Sequence, residues 1–259
     1  MAHVDKHPPG AFCWMELATT DQSAAKKFYS SLFGWVPDDV PMGPDAYYTI
    51  FRLQGRACAA AETMGAERRG FPPHWSLYIG VENADVAQAK AQSLGGTVIA
   101  PAFDIASAGR MAVLRDPTGA FFSVWQPKQN AGIGIAGDPG TFCWADLSTP
   151  DRERAKTFYS NLFGWKLTAG QGKDPSGYLH IMNGEKAIGG IQTAEGRDRN
   201  APPHWLIYWY VSDVDTSTAK AESLGATLLM PPMTIENVGR MAVIADPQGA
   251  ASALFRESH

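Results

Sequence analysis

Apolar and polar positions change period several times along this chain, and each change marks an element. Residues 12 to 18 (FCWMELA) read as a strand. Beyond it Ala24, Ala25, Phe28 and Leu32 fall at helical spacing, with Gly34 as the stop. This predicts a helix with Thr19 as N-cap and Gln22 as its capping-box partner. The run HWSLYIGV (74 to 81) returns to strand, and an alanine-rich helix then spans Asn83 to Leu94 and halts at Gly95 and Gly96. Short β-type runs follow each helix, AYYTIFRL and RACAAAE after the first, GRMAVLRD and AFFSVWQP after the second. The predicted order is β-α-β-β-β, twice.

A shift of 130 residues lays the whole pattern on itself, carrying Cys13 to Cys143, His74 to His204 and Asp116 to Asp246. FCWMELATTD matches FCWADLSTPD, KFYSSLFGW matches TFYSNLFGW, PPHWSLYIGV matches PPHWLIYWYV, and GRMAVLRDPTGA matches GRMAVIADPQGA. In the second copy Thr149 followed by Pro150 supports the same helix start, and Ser212 or Asp213 opens the later helix. The glycines of KQNAGIGIAGDPG read as a linker. The chain therefore divides into a domain over 1–127, a linker over 128–140 and a second domain over 141–259. Asp116-Pro117-Thr118-Gly119 and its repeat at Asp246 have the residues of a tight turn, which explains both aspartates without a ligand role.

Composition narrows the partners. With 45% hydrophobic and 19% charged residues among 259, the chain has globular composition and material for two modest cores. A net charge of −4 offers no basic stripe, so nucleic acid and anionic membranes are not expected partners; a small molecule is. Cys13, Cys58 and Cys143 have neither disulfide nor zinc spacing. The N-terminal stretch lacks an apolar h-region and no apolar run is long enough to span a bilayer, so a cytoplasmic location is expected. Nothing sets the oligomeric state.

A strand, a helix carrying FYxxLFGW and a later DPxG strand, four modules in all, resemble the glyoxalase/bleomycin-resistance/dioxygenase (vicinal-oxygen-chelate) superfamily over residues 12–127 and 142–256. TTDQSAAKKFYSSLFGW and PAFDIASAGRMAVLRDPTGA further resemble its two-domain actinobacterial members described as 27 kDa antigens or provisionally as hydroxylases. The resemblance implies an α+β fold in which each pair of β-α-β-β-β modules makes a curved mixed sheet, a cup with helices outside. It also implies a divalent metal, held from the first strand, the first strand of the second module and the last strand. Those positions fall on Trp14, Ser76 and Ser123, then Trp144, Leu206 and Ala253, which lack the donors such a metal needs. No metal site is therefore predicted.

Strand alternation lines the first cup with Phe12, Trp14, Glu16, His74, Ser76, Tyr78, Phe121, Ser123 and Trp125. The second receives Phe142, Trp144, Asp146, His204, Leu206, Tyr208, Tyr210, Ala251, Ala253 and Phe255. Glu16 with His74, and Asp146 with His204, are candidate acid/base pairs, or polar groups that merely satisfy one another. Arg110 and Arg240 either grip an anionic ligand or pair with surface acids. The segments 36–71 and 166–201 differ most between copies and are expected to rim the cups. The leading expectation is a protein binding a small planar or aromatic molecule in two non-identical cups, without a cofactor. The alternative is a glyoxalase-like lyase or a hydroxylase/dioxygenase using the acid/base pairs or a displaced divalent metal. A third reading is an interaction module with vestigial cups.

Overall fold

The computed structural model describes residues 2–44, 46–68, 70–169, 177–192 and 201–258. The first half runs β1 (Ala2–His3), β2 (Phe12–Thr19), α1 (Gln22–Phe33), β3 (Val36–Gly43), β4 (Ala46–Leu53), β5 (Arg56–Thr63) and a short 3-10 turn at Ala66–Arg68. It continues with β6 (His74–Gly80), α2 (Ala84–Ser93), β7 (Thr97–Ile105), β8 (Gly109–Arg115) and β9 (Phe121–Pro127). After β10 (Ile135–Ala136) the second half repeats the series as β11 (Phe142–Ser148), α3 (Arg152–Phe163), β12 (Lys166–Ala169), β13 (Leu179–Asn183) and β14 (Lys186–Ile191). It ends with β15 (His204–Tyr210), α4 (Val214–Ser223), β16 (Thr227–Ile235), β17 (Gly239–Ala245) and β18 (Ala251–Glu257).

Each half forms one open eight-stranded mixed sheet, ordered β3-β4-β5-β2-β6-β9-β8-β7 and β12-β13-β14-β11-β15-β18-β17-β16. The expected α+β tandem of paired modules is what the chain adopts. Within segment 36–71, β3, β4 and β5 occupy most of 36–63, and residues 170–176 and 193–200 of segment 166–201 lie outside the described residues. The connecting segment is also ordered, since β10 pairs with β1 and Ile133 and Ile135 are buried. No helix among the described residues is long and apolar enough to cross a membrane.

Helix boundaries follow local chemistry, with one correction. Asp21, not Thr19, caps α1, its carboxylate accepting from the Ala24 amide, and Asp151 does the same for α3 through Arg154. A carboxylate facing the helix N-terminus also suits the macrodipole, so Thr19 is left to accept from the Asp21 amide. Pro150 accordingly precedes the α3 cap. Gly34 and Gly164 close their helices in the left-handed region, and Asn83 and Asp213 cap α2 and α4 as read from the pattern.

The sheets turn their helix-bearing faces toward one another: α1 packs on α4, α2 on α3, and β6 meets β15. Met15, Leu17, Leu77 and Ile79 fill this side of the first sheet, as their alternation predicts. Trp209 stands 4.9 Å from Trp75 and 5.1 Å from Trp35 at the centre. Two reciprocal chains lock the halves. Trp75 Nε1 donates to Tyr29 Oη, which donates to Asp246 Oδ2 of the other half. Trp205, Tyr159 and Asp116 repeat it in reverse. Each aspartate uses its other oxygen to hold its own DPxG turn through three backbone amides. The turn reading is correct, and the same carboxylate also ties the halves together.

Phe12 and Phe142 are not cup residues. β2 pairs with β6 as Phe12↔Ile79 and then Trp14↔Tyr78, so β2 carries one extra residue at Cys13; β11 repeats this with Phe142↔Trp209 and Trp144↔Tyr208. A bulge inverts the alternation on its far side. Phe12 therefore packs edge-on against Phe142, Trp165 and Trp205 at 5.4–6.1 Å, between the halves.

Candidate functional site

The opposite faces of the sheets look away from this junction, and each carries the same four-residue cluster. In the first half β2 supplies Trp14 and Glu16, β6 supplies Tyr78 opposite Trp14, and β4 supplies Tyr48. Tyr48 Oη donates to Glu16 Oε2 at 2.6 Å, Tyr78 Oη donates to Oε1 at 2.9 Å, and Trp14 Nε1 donates to Tyr48 Oη at 2.9 Å. In the second half Asp146 accepts from Tyr178 and from Trp144 Nε1 on Oδ1, and from Tyr208 at 2.8 Å on Oδ2. Trp144 Nε1 also lies 2.8 Å from Tyr178 Oη. Trp125 extends the first aromatic wall 6.5 Å from Tyr78, and Phe255 extends the second 6.3 Å from Tyr208. Leu206, Tyr208, Met241 and Ala253 form a separate apolar cluster there, joined by Trp144 and Phe255.

Burial sets the proton affinity of both carboxyls. Glu16 is pushed up to about 7, first by desolvation and then by the Glu62 carboxylate, against the pull of the two tyrosine hydrogen bonds and Arg68. Glu62 is itself paired with Arg68 at 2.6 Å. Asp146 is raised by burial, against the hydrogen bonds of Tyr178, Tyr208 and Trp144 and the nearby His180. Desolvation and the adjoining carboxylate raise Tyr48 and Tyr78 well above the ordinary phenol value, so both stay protonated donors. Glu16 as a whole residue is half-buried, with its carboxyl held between the Tyr48 and Tyr78 hydroxyls. Such a group can hold a ligand hydroxyl or carbonyl as acid or base near neutrality.

The histidines expected beside these carboxyls lie elsewhere. His74 sits opposite Ala18, two pairs beyond Glu16↔Ser76, and its Nδ1 is 2.9 Å from the Pro72 carbonyl; His204 repeats this with Pro202 at 2.8 Å. Among the described residues Glu16 and Asp146 take their hydrogen bonds from Tyr and Trp, and neither bonds a histidine. Arg110 makes a two-pronged pair with Asp85, and Arg240 with Asp215, so both arginines serve the outer surface of α2 and α4. Phe121 is 46% exposed beneath Arg115, and Tyr210 is engaged by the Arg256 guanidinium. Tyr48 and Tyr178 escaped the sequence reading, and His180, which has no histidine at its repeat position and reads as a loop residue with no role, lies in β13 instead. His180 lies 6.0 Å from the Trp144 ring and 5.1 Å from Tyr178, where the first half has Ile50. A signal for the tyrosines existed: they hold the 130-residue register inside the most divergent segment.

The residues present do not suit the divalent metal that the resemblance implies. The Trp14 and Trp144 N–H groups offer no lone pair and are already donating, while Ser76, Ser123, Leu206 and Ala253 bring two neutral hydroxyls in one half and none in the other. Among the described residues no three His, Cys, Asp or Glu side chains are gathered to hold an ion.

The model of the Glyoxalase/Bleomycin resistance protein/Dioxygenase superfamily matches residues 11–124 and again 141–253. The chain is 40% identical over 251 residues to CFP32 of Mycobacterium tuberculosis, provisionally named a glyoxylase, covering 94% of this chain and 93% of that one. It is 31% identical over 262 residues to the anthracycline biosynthesis protein DnrV of Streptomyces peucetius, covering 95% and 93%. Among solved structures it is similar to the Mn(II)-bound glyoxalase of Novosphingobium aromaticivorans, with a TM-score of 0.65 at 16% identity over 95% of this chain and 82% of that one. It is also similar to a homoprotocatechuate 2,3-dioxygenase variant of B. fuscum, with a TM-score of 0.67 at 15% identity over 99% and 73%. The chain belongs to the glyoxalase/bleomycin resistance protein/dioxygenase superfamily and carries its domain twice.

Proposed function

We propose that each half binds a small planar molecule bearing a hydroxyl or carbonyl oxygen, without a resident metal. The ring lies against Trp14, Tyr78 and Trp125 in the first cup and against Trp144, Tyr208 and Phe255 in the second. Its oxygen meets the carboxyl and tyrosine hydroxyls. The duplicated Trp–Tyr–carboxyl–Tyr cluster carries this reading, because a buried carboxyl among rings supplies one polar anchor in an otherwise apolar wall. The name of the relative DnrV fits, since anthracyclines are planar, oxygenated aromatics. Quenching of tryptophan fluorescence by 2-naphthol tests it. Two binding phases are expected, one lost in Trp14→Phe and the other in Trp144→Phe; binding that survives both substitutions contradicts it.

A second reading, a glyoxalase-like lyase or a hydroxylase, is favoured by one observation: Glu16 holds its proton up to about neutrality at a half-buried position. In that case Glu16 moves the proton and Tyr48 and Tyr78 orient it, in place of the expected Glu16/His74 pair. Exchange of a ligand C–H proton next to a carbonyl with solvent deuterium, lost in Glu16→Gln but kept in His74→Ala, is the expected result.

A further inference from the structure

The two cups differ at a specific set of repeat partners. On the β6–β9 side of the carboxyl the first cup presents Ser76, opposite Glu16, and Ser123, beside Tyr78; the second presents Leu206 opposite Asp146 and Ala253 beside Tyr208. Ser123 is 3% exposed, and alternation places it on the cup face, because its neighbours Phe122 and Val124 are buried on the helix side. Among the described residues its hydroxyl has no hydrogen-bond partner, and neither has that of Ser76. Neither hydroxyl is among the enclosed side-chain atoms that lack a partner in the described residues, so both stay open to meet a ligand oxygen on the cup face. On the other flank the asymmetry reverses, with Ile50 in the first cup and His180 in the second.

Resting on the binding reading above, we infer that Ser76 and Ser123 are ligand-orienting residues that make the first cup selective for a planar ring whose oxygen points toward β6 and β9. The second cup is apolar on that flank and takes its ligand with the oxygen turned toward β13. The two cups of one chain therefore accept different substitution patterns on similar rings, and the floor of the cup sets the difference as well as its rim.

The test titrates the full chain with 2-naphthol and with 2-methylnaphthalene, reading the quenching that Trp14→Phe removes. In the unsubstituted chain 2-naphthol binds this site tighter than the methyl analogue, and Ser76→Ala with Ser123→Ala weakens 2-naphthol about tenfold while leaving 2-methylnaphthalene within about twofold. Equal affinities for both probes in the unsubstituted chain, or an equal loss for both in the variant, overturn the inference while leaving the binding reading intact. Failure of both probes to quench Trp14 removes the binding reading and this inference with it. An unchanged urea midpoint in the variant separates loss of a ligand contact from loss of fold.

Discussion

Replacing Glu16 by Gln tests the buried carboxyl through stability alone, with no ligand needed. The Glu16 value rises from an ordinary 4.5 to about 7 on folding. Between those limits the native chain keeps a proton that the unfolded chain has released, so stability falls as pH rises through the window and levels off above it. Each pK unit corresponds to about 1.4 kcal/mol, so the full shift corresponds to about 3 kcal/mol. Partial solvent access at Glu16 reduces this to about 1–3 kcal/mol. Gln keeps the shape, its oxygen accepting from one tyrosine and its amide N–H donating to the other, but cannot ionise, so the variant loses this slope. Asp146 is raised in the same sense and remains in both proteins, so the difference between them isolates Glu16. Urea unfolding at pH 4.5 and pH 8 should show the variant gaining on the parent by that amount as pH rises. Parallel loss of stability in the two proteins would refute the reasoning.

Other positions give sharper structural readouts. Tyr29→Phe leaves Trp75 Nε1 and Asp246 Oδ2 without their partner between the halves and should cost about 2–4 kcal/mol in urea unfolding, with Tyr159→Phe costing a similar amount. Gly109→Ala places a methyl group into the Trp125 ring and the Gln126 carbonyl, so about 1–3 kcal/mol is lost and the first-cup quenching phase weakens. His74→Ala and Arg110→Ala should leave 2-naphthol affinity and its pH dependence unchanged, because one side chain turns to the Pro72 carbonyl and the other to Asp85.

Much of the fold was legible because its signals are local and occur twice. The 130-residue register, the glycine stops and the alternation of Met15 and Leu17 against Trp14 and Glu16 settle topology and facing together. The bulge at Cys13 was not legible. Nothing in FCWM marks an extra residue, and only the pairing with β6 reveals that Phe12 faces the other half. The partner of Glu16 was misplaced for a related reason. His74 shares its face, but it lies two residues along β6 from the partner of Glu16 and turns its ring to the Pro72 carbonyl, and Tyr48 arrives from a strand two places along the sheet. Distances across a sheet depend on register, which alternation alone does not supply. The Tyr29–Asp246 chain joins groups 217 residues apart, beyond any local pattern.

The account stands most directly on calorimetric titration of the full chain with 2-naphthol, first after exhaustive treatment with EDTA and then with Mn(II) restored. It predicts two equivalents bound per chain with the same affinities in both conditions, because rings, tyrosine hydroxyls and the two carboxyls make the contacts. Binding that disappears on chelation and returns with the metal would contradict it.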